Sequence, residues 1–382
     1  MKTAVIGIGR MGGRHTGNLA SGAVKGAELT AVCDLDANVT RTAAEKYGVK
    51  GYSDYRKLIE DGAAEAVVVA TPHYSHEEIC AFALEHGIHV LVEKPIAVEA
   101  DAARRLIEVA GRHSDAIFAI MYNQRTNPMY AYARELVGSG RLGKIQRADF
   151  TVTDWYRSQF YYDMNDWRAS WSGEGGGTLI NQCVHQLDLL QWILGMPGSV
   201  LCRSRTEGRN ITTENDVTAV MNYGDFDCVF RASTHEIPGV NRLEIAGSKG
   251  SLTVNKKSMT VKLLRMDESE INGRSRRDYG NKEDKKYRTE RKFYGIGNYL
   301  YDWRFGQQCR VLERFAEAVN GRDPSVLVAR GEEGIYALEL INAMNMSAWK
   351  RAEVALPVDG AEYSAMLRGK IEEETNGRHT GK

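Results

Sequence analysis

One short stretch near the N-terminus reads Ala4-Val5-Ile6-Gly7-Ile8-Gly9-Arg10-Met11-Gly12, and it places three glycines between a strand pattern and a helix pattern. Gly7 permits a tight turn out of the strand, Gly9 lets the backbone approach a pyrophosphate, and Gly12 lets the following helix pack closely on the sheet. The N-terminus of that helix then faces the phosphates. The stretch therefore predicts that the chain holds a dinucleotide.

A second strand pattern, Leu29-Thr30-Ala31-Val32-Cys33, ends at Asp34, which lies 22 residues after Gly12. An acidic side chain at this distance can accept hydrogen bonds from both ribose hydroxyls of NAD, whereas it would repel the 2′-phosphate of NADP. We therefore expect NAD as the cofactor. A plain strand-turn-helix without a nucleotide is the alternative.

The length and the charge of the chain indicate the number of domains and the class of partner. At 382 residues we expect two domains, and the equal counts of 50 basic and 50 acidic residues favour a small-molecule partner over nucleic acid or a membrane surface. No apolar stretch reaches the roughly 18 residues of a transmembrane helix. The chain begins directly with a strand pattern, so we expect a cytoplasmic protein without a signal peptide. The six cysteines lack zinc-type spacing, which predicts reduced, mostly buried thiols and no metal site.

Short apolar strands alternate with helix patterns over residues 1–122, which predicts a doubly wound parallel sheet and the α/β class. The expected strands are 3–8, 28–33, 66–70, 88–92 and 116–121, and the expected helices begin at Arg10 and span 36–47, 75–86 and 99–112. From about residue 145, tight turns join strands at 145–153, 217–223, 226–234, 241–246 and 251–254, with helices at 178–194, 307–320 and 331–350. This second pattern predicts an antiparallel sheet, and we expect domains at 1–122 and 123–382.

The segment 256–292 is unusually charged, with 13 basic and 7 acidic residues and a local balance of +6. A solvated insertion or mobile hairpin is one interpretation. A lid, or a contact with an anionic substrate or a neighbouring subunit, is the other.

A lysine stands at a strand end in the run Val90-Leu91-Val92-Glu93-Lys94-Pro95. Ligands bind at the carboxyl ends of strands in such sheets. Beside a cationic nicotinamide ring, a partly desolvated Lys94 could have its pKa lowered enough to exchange protons with a substrate hydroxyl. A solvated strand-end lysine is the alternative.

A glycine run leads into a second candidate segment, the expected helix 178–194. Asn181 and His185 stand four residues apart and Asp188 follows three later, so a helix would place all three on one face. Alone, His185 could equally be a packed core or surface residue.

These separated motifs resemble the glucose-fructose oxidoreductase and inositol dehydrogenase family, Gfo/Idh/MocA, over nearly the whole chain. The motifs that carry the resemblance are Gly7-Ile8-Gly9-Arg10-Met11-Gly12 with His15, Thr71-Pro72-His73-Tyr74-Ser75-His76, Glu93-Lys94-Pro95, the glycine-led helix ending His185-Gln186-Leu187-Asp188, and the Gly334 to Pro357 segment. The resemblance implies an N-terminal Rossmann domain, a C-terminal α/β domain with an open, mainly antiparallel sheet that often forms the oligomer interface, and hydride transfer on sugars or cyclitols. A homodimer or homotetramer is therefore expected.

The resemblance assigns roles to matching positions. Lys94 corresponds to the catalytic lysine and His185 to the catalytic histidine, while Asn181 stands where many members carry an aspartate. An amide cannot take the charge of a carboxylate, so a relay that needs one at this position is excluded and acid-base work falls to Lys94 or His185. Asp188 could partly replace the missing carboxylate, or it could only fix local packing.

Cofactor contacts also follow from the resemblance. The expected set is Gly7, Gly9, Arg10, Met11, Gly12, Asp34, Thr71, Pro72, His76, Glu93, Lys94 and Arg168. For His76, packing within its own helix is the alternative to direct contact. Asn123 and Arg125 are expected to border the site.

A cluster of aromatic and arginine side chains precedes the glycine run: Trp155, Tyr156, Arg157, Tyr161, Tyr162, Trp167, Arg168 and Trp171. Aromatic rings stack on sugar faces and arginines clamp polar groups, so Tyr156 and Arg157 join Lys94, Asn181 and His185 as candidate substrate contacts. Loop packing between domains is the alternative.

The resulting hypothesis is an NAD-dependent dehydrogenase or reductase acting on a secondary hydroxyl of a sugar, glycoside, sugar acid or cyclitol. Two rivals remain. One is an NAD-dependent glycosidase that oxidises its sugar transiently and eliminates the aglycone, and the other is a non-catalytic regulator that senses NAD or a sugar.

Overall fold

The structure is a computed structural model that describes residues 1–380. A parallel sheet occupies its first third. Its strands are β1 (Lys2–Ile6), β2 (Glu28–Cys33), β3 (Lys50–Tyr52), β4 (Ala66–Val69), β5 (His89–Val92) and β6 (Phe118–Ile120). The helices between them are α1 (Arg10–Ala20), α2 (Ala37–Tyr47), α3 (Tyr55–Glu60), α4 (His76–Glu85) and α5 (Ala100–Arg112). The strand order β3-β2-β1-β4-β5-β6 confirms the doubly wound prediction, to which the structure adds β3 and α3.

The centre of this sheet is buried on both faces. Every residue of β4, Ala-Val-Val-Val, is fully buried, because helices cover the sheet above and below and β-branched side chains pack well on a pleated surface. Local signals set the helix ends. The Asp36 side chain accepts hydrogen bonds from the amides of Asn38 and Val39 at the start of α2, and Gly48 ends that helix in the left-handed conformation.

The second sheet has nine strands and is mixed. Its strands are β7 (Ile145–Val152), β8 (Ser199–Arg205), β9 (Asp216–Asn222), β10 (Asp227–Ser233), β11 (Asn241–Gly247), β12 (Gly250–Asn255), β13 (Ser258–Leu264), β14 (Tyr287–Phe293) and β15 (Val354–Ala355). Its order is β14-β13-β12-β11-β7-β10-β9-β8-β15, and only β7 and β10 pair in parallel. The expectation of a mainly antiparallel sheet is confirmed.

The remaining helices are α6 (Pro128–Gly138), α7 (Gln159–Asp163), α8 (Val184–Leu194), α9 (Glu268–Arg274), α10 (Ile296–Arg304), α11 (Gln307–Gly321), α12 (Gly334–Lys350) and α13 (Gly360–Thr380). Helices α6 and α12 lie on one face of the second sheet. On that side Phe150 and Phe230 meet edge to face with ring centroids 6.2 Å apart. The opposite face is open, and strand β9 alternates buried with exposed residues, Val220 among the latter.

The charged segment 256–292 takes part in the second sheet. Strand β13 continues the sheet from β12, the chain leaves it through α9, and β14 returns to pair along the whole of β13. Because β14 is an edge strand, most of its charged side chains are exposed to solvent.

One predicted element is wrong as drawn. The helix expected over 178–194 is two elements, a π-helical turn at Thr178–Gln182 and the α-helix α8. The Glu214 carboxylate accepts hydrogen bonds from the amides of Gly177 and Leu179, which fixes the start of the turn. The amide of Cys183 donates to the carbonyl of Thr178, five residues earlier, as in a π-helix. Asn181 therefore does not lie on α8 with His185 and Asp188.

All six cysteines are free and buried, as expected. Over residues 1–380 the structure contains no helix that is long and apolar enough to cross a membrane. The last two residues of the second expected domain lie outside the described residues.

Candidate active site

The glycine cradle lies between β1 and α1. Gly7 adopts a φ of +86°, and a Cβ there would come within 2.8 Å of the main chain of Ala70. A Cβ on Gly12 would lie 1.7 Å from the carbonyl oxygen of Gly7, so no larger residue fits. Among the described residues no side chain caps α1 at Gly9, and a Cβ added to Gly9 would meet open space. The free amides of this helix N-terminus fit an anionic pyrophosphate.

Asp34 lies at the carboxyl end of β2 beside this cradle. Its carboxylate accepts hydrogen bonds from the amide of Ile8 at 2.7 Å and from the amide of Asp36 at 3.0 Å. These bonds fix the carboxylate at the rim of the sheet, where it suits a pair of ribose hydroxyls. The next side chain, Leu35, is 91% exposed and offers an apolar surface that the sequence reasoning did not single out.

The loop after β4 carries three expected cofactor residues. Thr71 is half-buried and Pro72 is exposed, and both stand at the carboxyl edge of the sheet. His76 is fully buried instead, with Nδ1 2.8 Å from the carbonyl of Pro95 and Nε2 2.9 Å from the carbonyl of Thr71. Each ring nitrogen thus lies next to a main-chain carbonyl, which favours the packing alternative, and the direct cofactor contact stays a prediction.

Glu93 is also held inside the protein. Its Oε1 lies 2.7 Å from Nε2 of the fully buried His15, and its Oε2 accepts the amide of Lys94 at 3.1 Å. Burial alone raises the pKa of Glu93, but the bond and charge of His15 and the charge of Lys94 outweigh burial, so this pKa lies below its usual value. Both carboxylate oxygens therefore have a partner within the fold, and the expected cofactor contact of Glu93 stays a prediction.

Lys94 stands at the carboxyl edge of the sheet, directly after β5. The side chain is half-buried, and Nζ donates a hydrogen bond of 2.8 Å to the main-chain carbonyl of Asn181. In a continuous α-helix that carbonyl would accept the amide of His185, so the π-helical turn leaves it available to the lysine. Burial lowers the pKa of Lys94, while the charges of Glu93 and Glu174 oppose that shift.

His185 lies in the first turn of α8, close to Lys94. Its ring meets the edge of the buried Tyr122 ring at a centroid distance of 6.3 Å, and its buried Nδ1 has no hydrogen-bond partner among the described residues. Burial and the charge of Lys94 lower the pKa of His185 to about 3. The imidazole is therefore neutral at pH 7.

The Asn181 side chain bonds to a carboxylate that the sequence reasoning did not single out. Its Nδ2 donates to Oε1 of Glu174, and Oε2 of Glu174 accepts the amide of Ala169 at 2.7 Å. Glu174 is 2% exposed, and burial raises its pKa to about 7. The only sequence signal for Glu174 is its place directly before the glycine run.

Asp188 has a different partner from the one considered for it. Both of its carboxylate oxygens bind the guanidinium of Arg125, at 2.9 Å and 2.7 Å, and Arg125 also binds Glu333. Both side chains of the Arg125–Asp188 pair are almost fully buried. The structure therefore favours the packing role for Asp188 over replacement of the missing carboxylate.

The aromatic and arginine cluster divides into two groups. Arg157 donates to Oε1 of Gln182 at 2.7 Å and Arg168 donates to the Tyr161 hydroxyl at 2.8 Å, so these side chains adjoin the π-helical turn. Tyr156 is exposed, with Arg209 over its ring. The buried Tyr162 and Trp171 belong to the core instead, bonded to Thr234 and to the carbonyl of Thr212 respectively. Asn123, just after β6, donates to Gln307 at 3.3 Å.

This fold and this edge of the sheet define a dinucleotide-binding protein of the oxidoreductase class. A sequence model of the oxidoreductase family with an NAD-binding Rossmann fold matches residues 1–121, and a model of the Gfo/Idh/MocA C-terminal domain matches residues 130–253. The chain belongs to the Gfo/Idh/MocA family of NAD-binding oxidoreductases.

Relatives of known name agree with this assignment. The chain is 29% identical over 202 residues to inositol 2-dehydrogenase of Salmonella paratyphi B, a match that covers 51% of this chain and 54% of the relative. It is 26% identical to the scyllo-inositol 2-dehydrogenase (NAD(+)) of Bacillus subtilis, with 66% of this chain and 73% of the relative covered. The chain thus spans about half the length of the first of these relatives.

A solved structure shares the fold. The WlbA dehydrogenase from Bordetella pertussis, in complex with NADH and UDP-GlcNAcA, superposes with a TM-score of 0.73 at 24% identity. The superposition covers 94% of this chain and 99% of that one.

Proposed function

We propose that this chain is an NAD-dependent dehydrogenase or reductase that moves a hydride between nicotinamide and a secondary hydroxyl of a sugar, glycoside, sugar acid or cyclitol. One observation supports it above the others. The Nζ atom of Lys94 stands at the ligand-binding edge of the sheet, held 2.8 Å from the carbonyl of Asn181 and close to the neutral imidazole of His185. Relatives named as inositol dehydrogenases point to the same substrate class.

The protein would hold the cofactor along the edge of the first sheet. The pyrophosphate fits the cradle of Gly7, Gly9 and Gly12, and Arg10 and Met11 begin the helix that faces it. Asp34 would accept the ribose hydroxyls, which favours NAD over NADP because a fixed carboxylate repels a 2′-phosphate. When bound, NAD supplies the hydride acceptor.

Lys94 and His185 would handle the proton. In oxidation the neutral amine of Lys94 accepts the proton of the substrate hydroxyl, and His185 hydrogen-bonds the same oxygen, so the lysine gains one positive charge. In reduction the ammonium returns that proton. Desolvation of Lys94 brings its pKa closer to the pH at which such an exchange works. Arg157 and Tyr156, near the π-helical turn, would contact the outer part of the substrate.

Replacing Lys94 tests this mechanism. We expect Lys94→Met to reduce NADH formation to background across a panel of sugars, inositols and glycosides, because the methionine cannot accept the proton. NAD binding, followed by titration, should stay within about twofold of wild type. The control is Lys144→Met, which removes an exposed lysine that is paired with Asp225 and is far from Lys94 in the sequence.

The panel also separates the rival activities. Turnover by Lys94→Met at the wild-type rate would refute the proton-transfer role. Release of an aglycone without net NADH would point to the glycosidase, and saturable sugar binding without turnover in wild type would point to the regulator.

We also propose that the chain assembles as a homodimer or homotetramer through the open face of the second sheet. Leu201 on β8 and Val220 on β9 are exposed there at 47% and 38%, on adjacent strands and directly opposite each other. Apolar side chains on an uncovered sheet face are typical of a surface that a second copy buries.

A further inference from the structure

A buried carboxyl group stands next to the proposed catalytic lysine without a salt-bridge partner of its own among the described residues. Glu174 is 2% exposed, and its two oxygens accept hydrogen bonds from two neutral donors, the Asn181 side chain and the amide of Ala169. Its main-chain carbonyl accepts a hydrogen bond of 2.8 Å from Nδ1 of His73, in the loop after β4. Glu174 is therefore fixed from both domains.

Asn181 connects this carboxyl group to the lysine. The amide of its side chain donates to Glu174, and its main-chain carbonyl accepts from Nζ of Lys94. Two groups of opposite formal charge thus share one residue as an intermediary, and each acts on the pKa of the other. Asn181 stands at the position where, by the family resemblance, many members carry an aspartate.

We propose that Glu174 supplies the negative charge that Asn181 lacks, and that it serves as a positioning residue for Lys94 by orienting Asn181 and stabilising the lysine's ammonium form. This inference rests on the proposed function, because it concerns the acid-base step assigned to Lys94 there.

The charge balance of that step gives Glu174 its role. When the substrate hydroxyl loses its proton in oxidation, the O–H bond breaks, an N–H bond forms on Lys94, and the lysine becomes a cation in a partly buried place. An ionised Glu174 nearby lowers the cost of that cation. An amide does not exchange its protons readily, so Glu174 acts by charge and position and carries no proton to the lysine.

The other charged groups around the lysine are already engaged. Glu93 is bonded to His15, and Asp188 is bonded to Arg125. The titratable or charged groups that face Lys94 or Glu174 are Glu93, Arg168, Cys183, His73, His76, His185 and Glu214. Within the described residues, neither of the two carboxyl groups in this set, Glu93 and Glu214, hydrogen-bonds to the Asn181 side chain, whereas Glu174 accepts a hydrogen bond from it.

The test measures the pKa of Lys94 directly in the NAD-bound protein. Trace labelling with acetic anhydride from pH 6 to 11, with the peptide that contains Lys94 read by mass spectrometry, reports the fraction of neutral amine without needing a substrate. We expect Glu174→Gln to lower the pKa of Lys94 by about one unit, since removal of a nearby negative charge disfavours the ammonium. The rising limb of the pH profile for polyol oxidation should move to lower pH by the same amount.

A matched control and a rescue complete the design. Glu214→Gln removes the charge of another buried carboxyl group but keeps a side-chain oxygen that can accept the amides of Gly177 and Leu179, so the π-helical turn stays in place. Because Glu214 does not bond to Asn181, the pKa of Lys94 should stay within about 0.3 units. In the double variant Glu174→Gln with Asn181→Asp, the carboxylate returns next to the lysine, and the pKa should recover most of its wild-type value.

The outcomes are separable from those of the proposed function. An unchanged pKa of Lys94 in Glu174→Gln, or an equal shift in Glu214→Gln, would overturn the role of Glu174 whatever the enzyme's activity. Absence of NADH formation by wild type across the polyol panel would instead overturn the proposed function, while the labelling result would still decide the charge coupling between Glu174 and Lys94.

Discussion

Replacing Asp188 offers a sharp test of what the buried ion pair with Arg125 contributes to stability. Asp188 lies on α8, and its partner Arg125 lies just after β6, with two hydrogen bonds of 2.9 Å and 2.7 Å between them. The two side chains are only 2% and 1% exposed. In Asp188→Ala the guanidinium would remain buried with only Glu333 as a charged partner. The variant therefore removes both hydrogen bonds from Asp188 and leaves the buried guanidinium with a single, partly exposed carboxylate as its charged partner.

The magnitude follows from this burial. Breaking a buried ion pair by removing one partner costs about 3 to 5 kcal/mol, and the remaining bond to Glu333 favours the lower end. At a urea dependence of about 3 kcal/mol per molar, a loss of about 3 kcal/mol moves the denaturation midpoint down by about 1 M. Tryptophan fluorescence during urea denaturation measures it, because Trp192 packs against Arg125.

The control is Glu108→Gln, which removes an exposed partner of Arg112 one turn away on α5. Exposed pairs of this kind contribute about 0.3 to 0.5 kcal/mol, so its midpoint should shift by less than about 0.2 M. Equal shifts in Asp188→Ala and Glu108→Gln would refute the argument from burial. A changed pKa of Lys94 in the folded Asp188→Ala protein would show that Asp188 acts in the acid-base machinery after all.

Three further predictions concern the cofactor, the pH dependence of stability and assembly. Asp34→Ser should weaken NAD binding by at least about tenfold and reduce the difference in affinity between NAD and NADP, because the charged hydrogen bonds of the carboxylate are lost. Titration with each dinucleotide measures both effects. Burial raises the pKa of Glu214 to about 7 from an unfolded value near 4.5, so the stability that Glu214 contributes is complete below pH 4.5 and is lost as pH rises through 7. The free energy of unfolding of Glu214→Gln relative to wild type, measured in urea, should therefore increase from pH 4.5 to 7 and then level off. A difference between the two proteins that does not change with pH would contradict the shift. Val220→Lys should reduce the molar mass found by light scattering, and an unchanged mass would place the interface elsewhere.

Local patterns were enough to predict the features that depend on neighbours in sequence. The glycine spacing of Gly7, Gly9 and Gly12, the strand end at Lys94 and the alternation of strands and helices each involve residues within a few positions of one another, and the structure contains them. The π-helical turn could not be read in this way. It depends on Glu214, which binds the amides of Gly177 and Leu179 from about 35 residues away.

The same limit explains two carboxyl groups whose roles the sequence left open or did not indicate. Asp188 follows His185 by three residues, yet its role is decided by Arg125, 63 residues earlier in the chain. Glu174 gave no motif of its own, because its link to Lys94 passes through Asn181 and exists only once the chain has turned at the glycine run. Burial and distant partners, which decide both cases, are properties of the folded chain.

The six buried thiols have a practical consequence for the working protein. Burial raises the pKa of Cys33 to about 12 and that of Cys202 to about 12, so neither offers a thiolate to reagents at neutral pH. Cys183, which stands between Asn181 and His185 in the sequence, is also buried, and burial raises its pKa as well. Alkylating agents would therefore reach these sulfurs only when the fold opens. The rate at which each buried cysteine is alkylated therefore reports how often the fold opens around it, and the rate at Cys183 reports the opening of the fold at the acid-base centre.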